Sequence, residues 1–307
     1  MEAHTPVIRT RNLTKRYGRK IAVDHINLLV KRGQVYAFLG ENGAGKTTTI
    51  RLLLGLQHPN EGDVELFGLN LHKYRLEILR RVGSLIEFPS FYGHLTGREN
   101  LEVIRRLRNL SSNEIDRVLE IVRLQDAANF RVAHYSQGMK QRLAIAIALM
   151  GNPDLVILDE PTNGLDPSGI REMRELIRSL PRDLGITVLV SSHLLAEVEQ
   201  IATHVGILHR GRLLFQGSLE ELKQLAQPQI IISTNNLHTA KKLLSAHHFP
   251  VTTKDDEKLI VHATTSQISE IQQLLINNGL QVYQLTPQEV SLEELYFALV
   301  HHQEPST

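Results

Sequence analysis

The sequence predicts an α/β protein built on a mostly parallel sheet, followed by a small α+β domain. Three observations predict it. Apolar runs at residues 35–39, 155–158 and 187–192 read as strands buried on both faces. Helical patterns separate these runs, as parallel strands require. From residue 230 the order strand, helix, strand, strand, helix, strand is that of a ferredoxin-like βαββαβ module, with one further helix after it.

Composition narrows the possibilities. The 307 residues suffice for one large domain and a smaller one. A hydrophobic share of 42% and a charged share of 22% are those of a soluble globular protein. The formal net charge of +1 provides no global field to recruit nucleic acid. With no cysteine, disulfides, thiolate metal sites and cysteine nucleophiles are excluded, which fits a reducing compartment. No apolar run approaches the roughly 20 residues that cross a bilayer, and residues 1–6 do not begin a basic-then-apolar leader. The expectation is a soluble protein that meets a membrane only through a partner or a surface.

Taken in order, residues 7–13 and 26–30 read as antiparallel strands, with Lys15-Arg16-Tyr17-Gly18 between them. Tyr17 has a face on which a purine could stack. Strand 35–39 then enters Gly40-Glu41-Asn42-Gly43-Ala44-Gly45-Lys46-Thr47-Thr48, and a helix follows at 49–54. The spacing G-x-x-x-x-G-K-T between strand and helix is that of a phosphate loop. Its glycines let successive N–H groups turn inward, and the helix N-terminus adds positive charge, so a polyphosphate is the natural guest. Lys46 would reach the terminal phosphates, and the Thr47 hydroxyl would coordinate Mg²⁺.

A short strand at 64–67, a helix at 74–81 and a strand at 82–86 come next, the last ending at Glu87-Phe88-Pro89. Amphipathic spacing marks a helix at 101–110, and Ser111 with Glu114 reads as a capping box for a helix to about residue 124. Ser136 caps a helix at 138–150. The helical insertion spans about residues 93–150. Strand 155–158 ends in Asp159-Glu160, a helix runs over 167–180, and strand 187–192 ends at His193. A helix and two short strands, 205–208 and 212–216, close the first domain. A second capping box, Ser218 to Glu221, starts a short helix, and the domain boundary is expected at 227/228, giving domains 1–227 and 228–307. The His247-His248 and His301-His302 pairs lack metal-ligand spacing and read as solvated surface.

In an open parallel sheet the chemistry gathers at the carboxyl ends of the strands. Asp159 would there complete the Mg²⁺ shell opposite Thr47, and Glu160 would polarise an attacking water. His193, at the end of another strand, could contact the γ-phosphate.

At this point the residues carry a family resemblance. Tyr135-Ser136-Gln137-Gly138-Met139 resembles the signature segment of ABC-transporter ATPases, whose usual form is L-S-G-G-Q. Asn163-Gly164-Leu165-Asp166-Pro167 resembles their D-loop, His193 their switch histidine and Tyr17 their adenine-stacking aromatic. The resemblance covers residues 7 to about 217, with every motif in the family's order. It implies a P-loop NTPase of ABC type: a mostly parallel core, an antiparallel β subdomain and a helical subdomain. It also implies ATP hydrolysis with Mg²⁺, by two subunits that sandwich two ATP molecules head to tail. Lys46 and Glu160 of one subunit would face Ser136 and Gly138 of the other, so the chain needs a second ATP-binding subunit, expected to be another copy. Reopening after hydrolysis would drive an integral-membrane permease, placing the protein at the cytoplasmic face of the membrane.

Two positions depart from the usual pattern. Glu87 stands where the superfamily usually has glutamine; an ionised glutamate only accepts hydrogen bonds, although it could hold a metal-bound water. Gln137 replaces the first glycine of the signature. Together with Phe91-Tyr92, Leu95-Thr96 and the ending Ser291-Leu292-Glu293-Glu294-Leu295-Tyr296, these departures resemble the bacitracin-resistance and lantibiotic-immunity branch. That branch exports antimicrobial peptides through separately encoded permeases. Export of another drug, lipid, ion or polysaccharide is the alternative. A soluble ABC protein acting on ribosomes or DNA would need two nucleotide domains or a long coiled coil, and the chain has one phosphate loop and no sustained heptads.

Overall fold

A computed structural model describes residues 6–87, 90–225, 228–255, 257–288 and 290–301. The chain divides into two compact units, Met1–Leu219 and Glu220–Thr307.

Two sheets organise the first unit. The larger has six strands in the order Arg212–Ser218, His204–His209, Val35–Leu39, Thr187–Ser192, Leu155–Asp159 and Val82–Leu85. All neighbours pair in parallel except Arg212–Ser218, which closes one edge as the second arm of a hairpin. Every residue of Val35–Leu39, Leu155–Asp159 and Thr187–Ser192 is buried. The unbroken apolar runs reflect burial on both faces, one of them packed against the helix Lys46–Leu53 and the smaller sheet, through Tyr36, Phe38, Leu155, Ile157 and Leu189. Register matters most here: Leu39 lies beside Ser192, and Ser191 beside Asp159. Three strands thus end level with one another.

The smaller sheet is antiparallel, with Ile8–Tyr17 flanked by Lys20–Ile26 on one side and Glu61–Leu66 on the other; Leu29–Val30 and Leu69–Asn70 complete it. Here the sequence pattern misleads. Residues 15–18 read as a connection, but the strand continues through Tyr17 and turns back at Gly18-Arg19, with Tyr17 opposite Lys20. The charged residues are tolerated because Arg16 sits on an exposed strand position and pairs with Glu61 at 2.8 Å. The run at 26–30 is accordingly two pieces, the end of Lys20–Ile26 and the short Leu29–Val30.

The helical block consists of Gly97–Leu107, Glu114–Ile121 and Gln137–Leu149. Its capping differs from the sequence expectation. The Ser111 hydroxyl donates to Asn113 Oδ1 at 2.5 Å, and Asn113, the actual N-cap, makes no side-chain cap. Glu114 is buried instead, paired with Arg117 and accepting from Gly151 N–H at 2.7 Å. Burial pushes its carboxyl up, but the Arg117 bond and the Gly151 N–H outweigh it and leave the pKa below the ordinary value. The capping box forms one helix earlier, between Thr96 and Glu99. A further difference is Pro167–Leu184, which runs past Pro181 before Gly185 ends it at φ 66°. Pro181 has no N–H for the Ile177 carbonyl, so the helix continues for its last turn with one intrahelical bond missing.

Among the described residues, Lys46–Leu53, Arg75–Leu79 and Leu195–Ile201 are further α-helices of this unit, and Val132–His134 is a single 3-10 turn. Gln137–Leu149 packs against Val82–Leu85 with no spare room: a Cβ on Gly83 would stand 1.9 Å from the Ala148 carbonyl oxygen.

The second unit is ferredoxin-like. Its antiparallel sheet has the order Val251–Asp255, Lys258–His262, Gln229–Thr234, Val282–Gln288. Helices Leu237–Ala246 and Ile268–Asn277 contribute Ala240, Leu244, Ile271 and Leu275 to a core shared with Ile230, Ile232, Leu259 and Val261. Leu292–His301 follows the last strand. The helix Leu219–Gln224 begins at the division between the units, so the boundary falls at 219/220 rather than 227/228. Capping chemistry marks where a helix starts but not which body it packs with. His247 and His248 are exposed; His302 lies outside the described residues, as do Phe88 and Pro89.

Gly83→Ala is expected to lower stability by about 2–3 kcal/mol, the cost of forcing backbone apart in a packed core, measured as a fall in the urea unfolding midpoint.

Candidate active site

Three carboxyl-end loops meet where the strands end level. The loop after Val35–Leu39 wraps from Gly40 to Gly45 and opens the helix Lys46–Leu53. Two glycines are required by space. A Cβ at Gly40 would lie 2.4 Å from the Leu208 carbonyl oxygen, and one at Gly45 would lie 2.4 Å from the Ala22 carbonyl oxygen, where φ is also 109°. The loop is therefore pressed against its own scaffold, with free N–H groups at the helix start. The stretch Glu41, Asn42, Gly43, Ala44 forms its rim, Gly43 at φ 84°. Ala44 N–H donates to the Glu41 carbonyl at 3.1 Å. Thr48 is half-buried in the first turn of the helix.

Lys46 is buried, and its ammonium is fully engaged. It donates to the Gly40 carbonyl at 2.6 Å and the Glu41 carbonyl at 3.3 Å, and pairs with Glu160 Oε1 at 3.2 Å. The other Glu160 oxygen, Oε2, lies 2.8 Å from His193 Nδ1. Glu160 is thus held between an ammonium and an imidazole from two other loops, on a backbone at φ 49°. A left-handed non-glycine backbone persists where its surroundings over-determine it.

Asp159 is buried and differently served. Its Oδ2 accepts from the Thr47 hydroxyl at 2.9 Å and its Oδ1 from the Ser191 hydroxyl at 2.5 Å. Ser191 in turn accepts from the Glu160 N–H at 3.0 Å. Sequence reasoning missed Ser191. The sequence signal was the hydroxyl pair Ser191-Ser192 ending an apolar run; the register that sets Ser191 against Asp159 comes from the sheet.

Thr47, Glu87, Gln137, Gln141, Asp159, Glu160 and Asn163 line one cleft beside the loop. Glu87, at φ 57°, is ion-paired with Arg51 of the loop's own helix. Gln137 therefore shares a cleft with its own chain's phosphate loop. Ser136 and Asp166 lie elsewhere in the bonding scheme, as exposed helix N-caps: Ser136 Oγ accepts from Met139 N–H at 3.2 Å, and Asp166 Oδ1 from Gly169 N–H at 2.9 Å. Gly138, in the first turn after Ser136, packs near Leu165. Tyr17 is half-exposed, hydrogen-bonded to Gln57, with the Lys15 ammonium 5.5 Å from its ring centroid.

A strand–loop–helix with buried lysine, a hydroxyl–aspartate pair and a strand-end glutamate defines a P-loop nucleoside triphosphatase. The family profile described as ABC transporter matches residues 23–163. The chain is 46% identical over 298 residues to the bacitracin transport ATP-binding protein BcrA of Bacillus licheniformis, covering 96% of this chain and 97% of that protein. It is 40% identical to the BcrA of Enterococcus faecalis, with 96% of each covered. The lantibiotic transport ATP-binding protein SrtF of Streptococcus pyogenes is 39% identical over 229 residues, 73% of this chain and 98% of SrtF. Among solved structures, an ATP-binding subunit of an ABC transporter superposes with TM-score 0.64 at 32% identity, over 71% of this chain and 92% of that one. A dimeric ATP-binding cassette in a post-hydrolysis state with ADP and Pi superposes with TM-score 0.62 at 25% identity, over 69% and 98%. The chain belongs to the ATP-binding subunits of ABC transporters, and it is an ATPase of that family. No described helix is long and apolar enough to cross a membrane; in this family, ATP-binding subunits pair with membrane permease components.

Gly45→Ala is expected to cost more than about 1 kcal/mol in stability, because the added Cβ meets backbone at a left-handed φ. It should also weaken nucleotide binding at least tenfold, read by thermal melting and by titration with a fluorescent ATP analogue.

Proposed function

We propose that this chain powers the export of a bacitracin-type peptide antibiotic, conferring resistance or self-protection. One observation carries the reading: two bacitracin transport ATP-binding proteins match end to end, across both units. SrtF is matched nearly whole by 73% of this chain, so the lantibiotic resemblance leaves part of the chain without a counterpart. Export of a lantibiotic or another drug, lipid, ion or polysaccharide is the second reading. It draws support from SrtF, a lantibiotic transport ATP-binding protein 39% identical over 73% of this chain.

The proposed chemistry uses the residues as they are bonded. ATP lays its phosphates on the Gly40–Thr48 loop, whose N–H groups and helix dipole favour the anion. Lys46 exchanges its carbonyl partners and Glu160 for phosphate oxygens, which frees the Glu160 carboxylate to take a proton from the attacking water. His193 holds Glu160 from the other side. Thr47 and Asp159 form a hard-oxygen pair suited to Mg²⁺, which supplies charge neutralisation on the phosphates when bound. Tyr17 stacks on the adenine. Ser136, Gln137, Gly138 and Asp166 serve the facing subunit, where the Ser136-capped helix offers a second anion site. The working unit is two ATP-binding subunits, here two copies, on a membrane permease at the cytoplasmic face. Glu87 adds a carboxylate beside the phosphates, whether or not it holds a metal-bound water.

Lys46→Ala is expected to lower ATP turnover at least a hundredfold in a phosphate-release assay. Glu160→Gln should leave ATP binding intact, lower turnover to a similar degree and accumulate an ATP-bound dimer on size-exclusion chromatography; a monomer with normal turnover would remove Glu160 from the role of base. A strain lacking the gene should become several-fold more sensitive to bacitracin than to lantibiotics if the cargo is of the first type.

A further inference from the structure

Three carboxylates, Glu87, Asp159 and Glu160, line the cleft that receives the phosphates. Two of them are served by cations. Glu160 sits between Lys46 and His193. Glu87 is paired with Arg51. Asp159 is bonded to two hydroxyls and to no cation among the described residues. Of these three, Glu87 takes its cation from the last turn of the phosphate-loop helix, whereas Glu160 takes Lys46 from its first.

We propose that Arg51 is the positioning residue of Glu87. It cancels the charge that the glutamate places beside a polyphosphate, and it holds the carboxylate toward the helix end and off the phosphates. The geometry is constrained from both sides. Arg51 lies in the last turn of Lys46–Leu53, and its carbonyl accepts from Leu56 at 2.9 Å and Gln57 at 3.3 Å. Glu87 stands two residues past the strand Val82–Leu85, on a left-handed backbone. A glutamine at position 87 would carry no charge and need no such partner. Because the Glu87 side chain is 59% exposed, water and salt screen the pair, so its effect is modest and sensitive to ionic strength.

The inference rests on the ATPase reading above. The experiment is a double-mutant cycle on the purified full chain, with KM for Mg·ATP and kcat measured for Arg51→Gln, Glu87→Gln and the pair. Arg51→Gln alone is expected to raise KM about threefold to fivefold with a smaller change in kcat, as loss of ground-state binding does. In the Glu87→Gln background the same substitution should change KM by less than about 1.5-fold, since no carboxylate is left exposed. Arg51→Lys should restore most of the loss, and added salt should shrink the wild-type-to-Arg51→Gln difference. Equal KM changes in both backgrounds would overturn the proposal, for Arg51 would then act on the nucleotide directly. So would no change in either. If Arg51→Gln does not fold, the uncharged Arg51→Met compared across the two backgrounds, at low and high salt, decides in the same way. Wild-type turnover abolished by Lys46→Ala separates the two levels: without it the ATPase reading itself fails, and with it a flat Arg51 result rejects this proposal alone.

Discussion

The site depends on the level ending of three buried parallel strands. Backbone pairing puts Leu39 beside Ser192 and Ser191 beside Asp159, so three loops from distant parts of the chain emerge at one height. A slip of one residue along any of them would send every side chain of that strand to the opposite face. The carboxylate–hydroxyl bond between Asp159 and Thr47 would then be impossible. Strands buried on both faces have no in-and-out alternation to fix their register, so it is held by specific partners: the Ser191 hydroxyl on Asp159, and the close seat of Gly83 against Ala148.

On that frame the charges are distributed by loop. The phosphate loop brings a buried ammonium, one strand end brings two adjacent carboxyl groups, and another brings a hydroxyl and an imidazole. Adjacent Asp159 and Glu160 face different partners because the backbone switches to the left-handed region at Glu160. Asp159 turns to hydroxyls and Glu160 to the Lys46 ammonium and the His193 imidazole. Two neighbouring acids can then take different tasks, one suited to a metal and one to a water.

Much of this was legible in the chain, and the reasons are local. A glycine-rich turn between an apolar strand and a helix has one spacing that wraps N–H groups around phosphate, and residues 40–47 have it. Acidic residues ending an apolar strand mark the same sheet edge. The βαββαβ order likewise carries through to the 4-1-3-2 arrangement of the second sheet, because each connection there is short. What failed was competition between local signals. Ser111 and Thr96 both head capping sequences, but only Thr96 forms the box, because the buried Glu114 satisfies Arg117 and Gly151 instead. Arg16 looked like loop until Glu61 of the neighbouring strand neutralised it. Ser191 looked like an unremarkable strand residue until the register set it against Asp159.

The sequence by itself determined the nucleotide loop, the strand-end acids and the family, because each is written in contiguous residues whose spacing has a direct steric or electrostatic meaning. Only the tertiary structure decided which cation serves which carboxylate. Lys46 and Glu160 are far apart in the chain, and so are Arg51 and Glu87; their pairing is set by which strands lie next to each other and how they are aligned. Gln137 entering its own chain's cleft is a decision of the same kind, since the packing of the helical block brings it there and nothing in its neighbours along the sequence does.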